Sequence, residues 1–411
     1  MVIPYNQRKH LHVYSGKTAI ISQTCKNTCV WGGWSLSFHY IYPIRSQTEC
    51  PPLLEDNTME TRRHFIGTAG AAGIAGIIAS GTPPAYARDM KTLKIGVLGL
   101  GSHRFADWFN NPPKGTKKDV LAKPFGVWDD YPGLAKRMKG DTYKKVFKDP
   151  VKLARECDCI HIEHADYRKS LELAQPALEA GKPTFINRPF AASIGDAEEI
   201  VRLAKQYDAP LMSASSLEFG PEIPDMQAFV KEQGPVRAYE AYGPEAHFTW
   251  HFPHVINYAH AALGGGIDSA YFTGHFGMDM RKWRVEGNKV GAALSVLTYK
   301  PRNGNPPIIG MCHIGNYKGN FHIDIYGAKE NRDFILTGDW GANMFYALND
   351  LYSYRIVPRP YEAILEQHRA LVATNASRMR GAAVKLDSLA GEDAMPYTDA
   401  IRRYVIGRSL G

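Results

Sequence analysis

The sequence lacks several features that would assign it to a specialised class of protein. It has no run of lysine and arginine interleaved with aromatic residues, so no nucleic-acid partner is predicted despite a formal net charge of +8. The apolar stretch that ends near Ser80 is shorter than the ~20 residues that a membrane-spanning helix needs. There is no internal repeat and no low-complexity linker. With 44% hydrophobic and 22% charged residues, the chain of 411 residues is predicted to be globular, with room for two domains.

Cysteine is also scarce, with six residues in the whole chain. Three of them precede the export-like segment described next, and only Cys157, Cys159 and Cys312 follow it. Three cysteines cannot all pair, and Cys157 and Cys159 alternate along what reads as a buried strand. These residues are therefore predicted to pack in a core, and a disulfide framework is not supported.

A short segment resembles a twin-arginine export signal. Thr61–Gly67 reads T-R-R-H-F-I-G, a Gly/Ala-rich apolar run follows, and Ala85–Ala87 has the small-x-small pattern of a cleavage site. The alternative, a buried or membrane-spanning helix, is disfavoured because the run is short and rich in glycine. Residues 59–87 are thus predicted to be a signal peptide, and 1–58 a non-native upstream extension. The resemblance implies export to the periplasm by the twin-arginine machinery, which carries folded proteins, so any cofactor is expected to be tightly bound.

The next segment has the pattern of a dinucleotide-binding strand and turn. Leu93–Leu98 is apolar and opens into Gly99-Leu100-Gly101, which predicts a first strand that turns into a helix. Gly99 would allow the tight turn, and Gly101 would let backbone N–H groups approach a pyrophosphate at the helix N-terminus. The predicted cofactor loop continues through Ser102, His103 and Arg104. Arg104 stands where the fingerprint has its third glycine, and a lone Gly-x-Gly also occurs in simple turns.

A carboxylate ends the second predicted strand, Lys123 to Trp128. There Asp129 is placed to accept hydrogen bonds from an adenosine ribose, which favours NAD over NADP because a carboxylate repels a 2′-phosphate. The alternative for Asp129 is a turn or helix cap. Its spacing from Gly101 exceeds the usual ~20 residues, so an insertion is predicted around Asn110 to Lys118.

Further strands and helices alternate along the chain, which predicts parallel βαβ units. The predicted fold class is α/β: an N-terminal Rossmann domain with a doubly wound parallel sheet, plus a C-terminal α+β domain with an open, mostly antiparallel sheet. The predicted boundaries are 88–212 for the Rossmann domain, 213–340 for the α+β domain, which would bind substrate and form dimers, and 341–411 for helices that pack back on both.

One longer motif makes a family resemblance specific. Ala177–Phe190 reads A-L-E-A-G-K-P-T-F-I-N-R-P-F and resembles the Gfo/Idh/MocA oxidoreductase pattern A-L-E-A-G-K-H-V followed by E-K-P. Ile325–Lys329 resembles the late Y-G-T-K-G strand of the same family. The resemblance runs from about Leu93 onward. It implies an oxidoreductase that transfers hydride between tightly held NAD or NADP and a hydroxyl group of a sugar or polyol, in a homo-oligomer.

The resemblance also carries over the proton-handling residues, with departures. The E-K-P motif falls at Asn187-Arg188-Pro189, which are expected to bind the cofactor, so Arg188 stands in the place of the Lys. The His of D-x-x-x-H falls at His254, with Trp250 in the place of Asp. His254 is thus expected to be the acid/base, with Asn257 one helical turn later. Arginine stays protonated in proteins, so Arg188 can orient a substrate oxygen but cannot relay a proton. A further motif, T-P-N-x-x-H, is replaced by Glu163–Arg168.

These departures leave two other interpretations open. The chain could be a non-catalytic carbohydrate- or nucleotide-binding protein on the same scaffold. It could also be a metal-assisted lyase or hydrolase, because His247, His251 and His254 would share one face of a helix and could hold Zn²⁺. Pro253 argues against a continuous helix there, and no H-E-x-x-H motif accompanies the histidines. No metal ligand is therefore predicted.

Overall fold

The computed structural model describes residues 92–101, 104–116, 120–131, 133–137, 142–244, 248–276, 292–315, 319–337 and 340–397. Several predictions lie outside these residues: the signal peptide 59–87, the extension 1–58, the cofactor-loop residues Ser102 and His103, His247 of the alternative metal group, and the end of the predicted C-terminal helical segment 341–411. Within the described ranges, no helix is both long and apolar enough to cross a membrane.

Six parallel strands form the first sheet. They are β1 (Leu93–Leu98), β2 (Ala122–Trp128), β3 (Lys145–Val146), β4 (Cys159–Ile162), β5 (Thr184–Ile186) and β6 (Leu211–Met212). Their order, β3-β2-β1-β4-β5-β6, is that of a Rossmann sheet, which confirms the predicted parallel βαβ units. The helices of this part are α1 (Leu134–Arg137), α2 (Pro150–Glu156), α3 (Ser170–Leu178) and α4 (Ile194–Gln206).

The first crossover differs from the expected strand-to-helix turn. Its described residues form only a five-residue 3-10 helix, Phe105–Phe109, and no α-helix. Two asparagines and then Pro112-Pro113 follow, and successive prolines cannot extend a helix because they lack the N–H donor. A helix from the C-terminal part, α7 (Trp340–Tyr354), packs here instead, with the ring of Phe345 5.2 Å from that of Phe109.

The second sheet has seven strands and a single parallel pair, β7 with β10. The strands are β7 (Ala238–Gly243), β8 (Ile267–Phe276), β9 (Ala292–Tyr299), β10 (Ile309–Gly315), β11 (His322–Tyr326), β12 (Asn331–Ile335) and β13 (Val384–Lys385), in the order β12-β11-β7-β10-β9-β8-β13. Buried and partly exposed residues alternate along β7 and β11, as expected for a sheet with one covered face. The predicted open, mostly antiparallel sheet is confirmed, although β8, β12 and β13 were not predicted from the sequence.

Three helices pack with this sheet: α5 (Ile223–Gln233), α6 (Phe248–Leu263) and α8 (Tyr361–Arg380). Helix α6 continues through Pro253, contrary to the expectation that this proline would interrupt it. A proline inside a helix costs about 3 kcal/mol, but all residues of α6 except Ala261 are buried, and such packing overrides local propensity. Helix α8 also contacts α4 and β6 of the Rossmann part. It therefore packs against elements of both sheets.

The three described cysteines, Cys157, Cys159 and Cys312, are buried and unpaired with one another. Burial raises the pKa of the Cys157 and Cys312 thiols to about 12. A thiol with such a pKa is inert at neutral pH, because the thiolate is the reactive form. Their position agrees with the predicted role in core packing.

Candidate active site

The carboxyl ends of the Rossmann strands bring polar residues to one edge of the sheet. Glu163 follows β4, Asn187-Arg188-Pro189 follows β5, and Ser215 lies three residues after β6. The direction of the strand order reverses between β1 and β4. In open α/β sheets, ligands bind outside the carboxyl ends of the strands at this point, so this edge is the candidate site.

Arg188 and His254 meet at this edge, as the resemblance implied. Two nitrogens of the Arg188 guanidinium contact Nε2 of His254: Nε at 2.9 Å and Nη2 at 2.5 Å. On the other side of the ring, Oγ of Ser215 lies 2.5 Å from Nδ1 of His254. All three residues are buried. Because the guanidinium only donates hydrogen bonds, Nε2 is the acceptor and carries no proton. The proton of the neutral imidazole then sits on Nδ1 and is donated to Ser215.

The two residues that depart most from the family pattern, Arg188 and Trp250, contact each other. The guanidinium carbon of Arg188 lies 5.3 Å from the centre of the Trp250 ring, and Trp250 is buried. An aromatic face attracts a cation without neutralising it, and arginine stacks on aromatic rings better than lysine does. The replacement of Asp by Trp is therefore compatible with the replacement of Lys by Arg.

The buried carboxylate of Glu218 contacts several residues of the site. Its Oε1 accepts hydrogen bonds from the Ser215 backbone N–H (2.6 Å) and from Nδ2 of Asn257 (2.7 Å). Its Oε2 accepts from Nε2 of Gln367 (3.0 Å) and pairs with Arg359. Asn257 is thus oriented by Glu218. Ser215 and Glu218 were not predicted from the sequence, although S-x-x-E at 215–218 is the pattern of a capping box, which the structure contains.

A small cavity adjoins Arg188. Its lining residues are Arg188, Pro189, Phe190, Ser213, Pro253, Asn257, Ile364, Gln367, His368 and Leu371. His368 contacts the carbonyl oxygen of Ser193 through Nε2 at 3.2 Å, and its Nδ1 has no hydrogen-bond partner among the described residues. Burial lowers the pKa of His368 to about 4. This histidine is therefore neutral in the folded protein at neutral pH.

The low pKa of His368 predicts a loss of stability in acid. The unfolded chain takes up this proton near pH 6.5, whereas the folded chain does so only near pH 4. The stability is therefore complete above pH 6.5 and falls as the pH drops towards 4, by about 1.4 kcal/mol per pH unit from this group. His368→Gln, which can still donate to Ser193, should show a shallower decline in urea unfolding between about pH 7 and pH 5. Equal slopes for the two proteins would contradict this assignment.

The predicted cofactor loop is closed by hydrogen bonds within the chain. The N–H of Gly99 donates to the Trp128 carbonyl (2.7 Å), that of Leu100 to Oδ2 of Asp129 (2.9 Å) and that of Gly101 to the Glu163 carbonyl (2.7 Å). Gly99 has φ +84°, and a Cβ on Gly101 would lie 2.2 Å from the Glu163 carbonyl oxygen. These glycines are required because the loop packs directly against the end of β4.

The side chain of Glu163 also occupies the loop. Its Oε2 accepts from the N–H of Arg104 (2.6 Å) and its Oε1 from that of Phe105 (2.7 Å). Arg104 lies in the left-handed region at φ 50° and precedes a helix of only five residues. A short 3-10 helix has little macrodipole for a phosphate. The described residues of the loop therefore do not fit the pyrophosphate of a dinucleotide in this arrangement.

Asp129 lies beside the loop, as predicted. Its Oδ2 accepts from the Leu100 N–H, and its Oδ1 accepts from the Tyr131 N–H at 2.7 Å. Burial raises the pKa of this carboxyl above its usual value. A carboxylate has about four acceptor positions, so these two bonds leave capacity for a ribose hydroxyl. Its contact with a ribose stays a prediction.

Metal-ligand geometry occurs in two other places in the described chain. One group is Asp129, Asp130 and His164, and the other is His322, Asp324 and Asp333, each with ligand atoms within 4.8 Å of one another. The described members of the alternative histidine group are arranged differently: the rings of His251 and His254 stack at 6.1 Å, and both nitrogens of His254 contact Ser215 or Arg188. His254 is thus oriented for hydrogen bonding and not for a metal.

Comparison with known proteins finds a family match for the Rossmann part of the chain. Residues 93–215 match the model of the Gfo/Idh/MocA family, described as an oxidoreductase family with an NAD-binding Rossmann fold. YceM of Salmonella typhimurium, named as an oxidoreductase, is 27% identical over 136 residues, which are 32% of this chain and 41% of YceM. The chain thus matches less than half the length of this relative.

Solved structures extend the likeness to the second sheet. A scyllo-inositol dehydrogenase from Lactobacillus casei with bound cofactor NAD(H) and scyllo-inositol has a TM-score of 0.58 at 17% identity, covering 72% of this chain and all of that one. Myo-inositol 2-dehydrogenase from Lactobacillus plantarum has a TM-score of 0.58 at 12% identity, covering 72% and 99%. Residues 93–215 therefore match the Rossmann module of the Gfo/Idh/MocA oxidoreductase family, and the described chain shares the fold of these dehydrogenases.

Proposed function

We propose that this protein is an oxidoreductase that acts on a hydroxyl group of a sugar or polyol, with NAD or NADP as the hydride acceptor. The observation that carries the proposal is the contact between Arg188, His254 and Ser215 at the carboxyl edge of the Rossmann sheet. Two dehydrogenases of inositols, which are cyclic polyols, share the fold. Export by the twin-arginine route and homo-oligomer formation are proposals from the sequence, whereas the tight cofactor binding expected from the sequence does not fit a loop whose N–H groups already contact Glu163.

The residues of the site can handle the proton of such a hydroxyl group. Nε2 of His254 carries the lone pair that accepts from Arg188, and Nδ1 carries the proton that is donated to Ser215, so Nε2 can act as a base once the guanidinium is displaced. A substrate hydroxyl would displace the guanidinium from Nε2 and give its proton to that nitrogen. Arg188, which stays cationic, would then donate to the resulting alkoxide oxygen and stabilise its charge.

A second candidate function is a carbohydrate-binding protein without redox activity. It is favoured by a specific observation, the contact of the Glu163 carboxylate with the N–H groups of Arg104 and Phe105. These donors would otherwise be available to an anionic ligand. In this case Arg188 and His254 would bind sugar hydroxyl groups and no hydride would be transferred.

The dinucleotide content and turnover of the purified protein distinguish the two functions. The nucleotides released by acid would be identified by mass, and inositols and monosaccharides would be tested as substrates by following reduction of added NAD or NADP. The oxidoreductase proposal expects reduction with at least one polyol. Saturable binding of a sugar, with neither dinucleotide binding nor reduction, would overturn it and support the binding protein.

A further inference from the structure

The N–H groups at the start of the first crossover already hold an anion, which is a side chain of the same chain. Glu163 bridges the N–H groups of Arg104 and Phe105 with its two carboxylate oxygens, at 2.6 and 2.7 Å. Only 3% of Glu163 is exposed. The two backbone N–H donors are thus satisfied by a carboxylate that the chain itself supplies.

A buried relay of hydrogen bonds fixes Glu163 in this position. Its Oε1 lies 2.7 Å from Nε2 of His161, and Nδ1 of His161 lies 2.7 Å from the hydroxyl of Tyr352 on α7. Burial raises the pKa of Tyr352 well above its usual value, so its hydroxyl is protonated and can donate to Nδ1. Nε2 then carries the proton and donates to Glu163, which gives this carboxylate a third hydrogen bond.

Two further carboxyl groups lie beside the loop. Asp107 pairs with Arg104, and Asp129 accepts from the Leu100 N–H. Burial raises the pKa of Asp107, and the charge of Glu163 acts in the same direction. A pyrophosphate placed here would meet the carboxylate of Glu163 at the same donors, with the charges of its neighbours close by.

We infer that Glu163 is the resident anion of this loop and that it excludes the pyrophosphate of NAD or NADP from the N–H groups of Arg104 and Phe105. Dinucleotide binding then requires the displacement of Glu163 from these donors, so Glu163 limits the affinity for the cofactor. The inference rests on the proposed function in one respect, since it takes NAD or NADP as the ligand to be tested. It concerns binding alone and does not depend on turnover.

The test is a calorimetric titration of the purified protein with NAD and with NADP. Wild type would be compared with Glu163→Gln, which removes the charge at constant size, and with Glu163→Ala, which also opens space. Glu172→Gln, an exposed position on α3, is the matched control for the change in net charge. We expect weak or undetectable binding by the wild type and by the control, and a Kd lower by about ten-fold or more in the Glu163 variants, the size expected for removing a competing charge from these donors. Thermal melting curves would establish that each variant is folded.

Two results would overturn the inference. One is tight dinucleotide binding by the wild type, a result that can be obtained whether or not the variants fold. The other is equally weak binding by wild type and by folded Glu163 variants. Gain of binding by the variants supports the inference even when no sugar or polyol is oxidised, and that combination would count against the proposed function alone.

Discussion

Replacing His254 with alanine is expected to lower the rate of polyol oxidation by about 100- to 10,000-fold, the usual contribution of a positioned general base. The reason is geometric: Nε2 of His254 is the acceptor that Ser215 and Arg188 orient at the edge of the sheet. Substrate binding should change less than kcat, because Arg188 still donates to the substrate oxygen. The measurement is steady-state kinetics with the polyol identified by screening.

A matched control lies on the same helix. His260 is also buried in α6, but its Nε2 lies 3.8 Å from Oε2 of Glu366, and no hydrogen bond or ion pair among the described residues joins it to Arg188, Ser215 or His254. His260→Ala should therefore keep kcat within a small factor of the wild type, provided that thermal melting shows it to be folded. Equal activity of His254→Ala and the wild type would remove His254 from the mechanism.

The largest expected effect on stability comes from Glu218. Its side chain is 2% exposed and that of its partner Arg359 is 16% exposed. Glu218→Ala leaves Arg359 without this counter-charge. It also removes the acceptor of the hydrogen bonds donated by Nδ2 of Asn257 and Nε2 of Gln367. Removing one partner of a buried ion pair costs about 3–5 kcal/mol. The free energy of unfolding in urea is the quantity to measure.

A double variant tests whether the unpaired charge of Arg359 causes the loss of stability in Glu218→Ala. Glu218→Ala/Arg359→Ala should be less destabilised than the sum of the single variants, because no uncompensated charge remains. Glu199→Ala, which breaks an exposed pair with Arg202, is the control and should leave the unfolding midpoint unchanged. Additive effects of Glu218→Ala and Arg359→Ala would contradict the role assigned to the pair.

Much of the fold could be read from local patterns. Short apolar segments such as Leu93–Leu98 and Cys159–Ile162 alternate with amphipathic helices, and periodicity of this kind depends only on neighbouring residues. The likeness of Ala177–Phe190 to a family motif then indicated the position of Arg188. It also placed Arg188 and His254 in one site, although 66 residues separate them in the chain.

The tertiary structure decided the features that depend on packing between distant segments. Pro253 stays within α6 because burial on all sides outweighs the lost hydrogen bond, and α7 covers the first crossover where a helix was expected. The contact of Glu163 with Arg104 and Phe105 joins residues nearly sixty positions apart, so no local pattern could reveal it. Strand composition and motif spacing are local properties and can be read from the chain. The partner of a buried carboxylate is set by which elements pack together, and only the folded structure determines that.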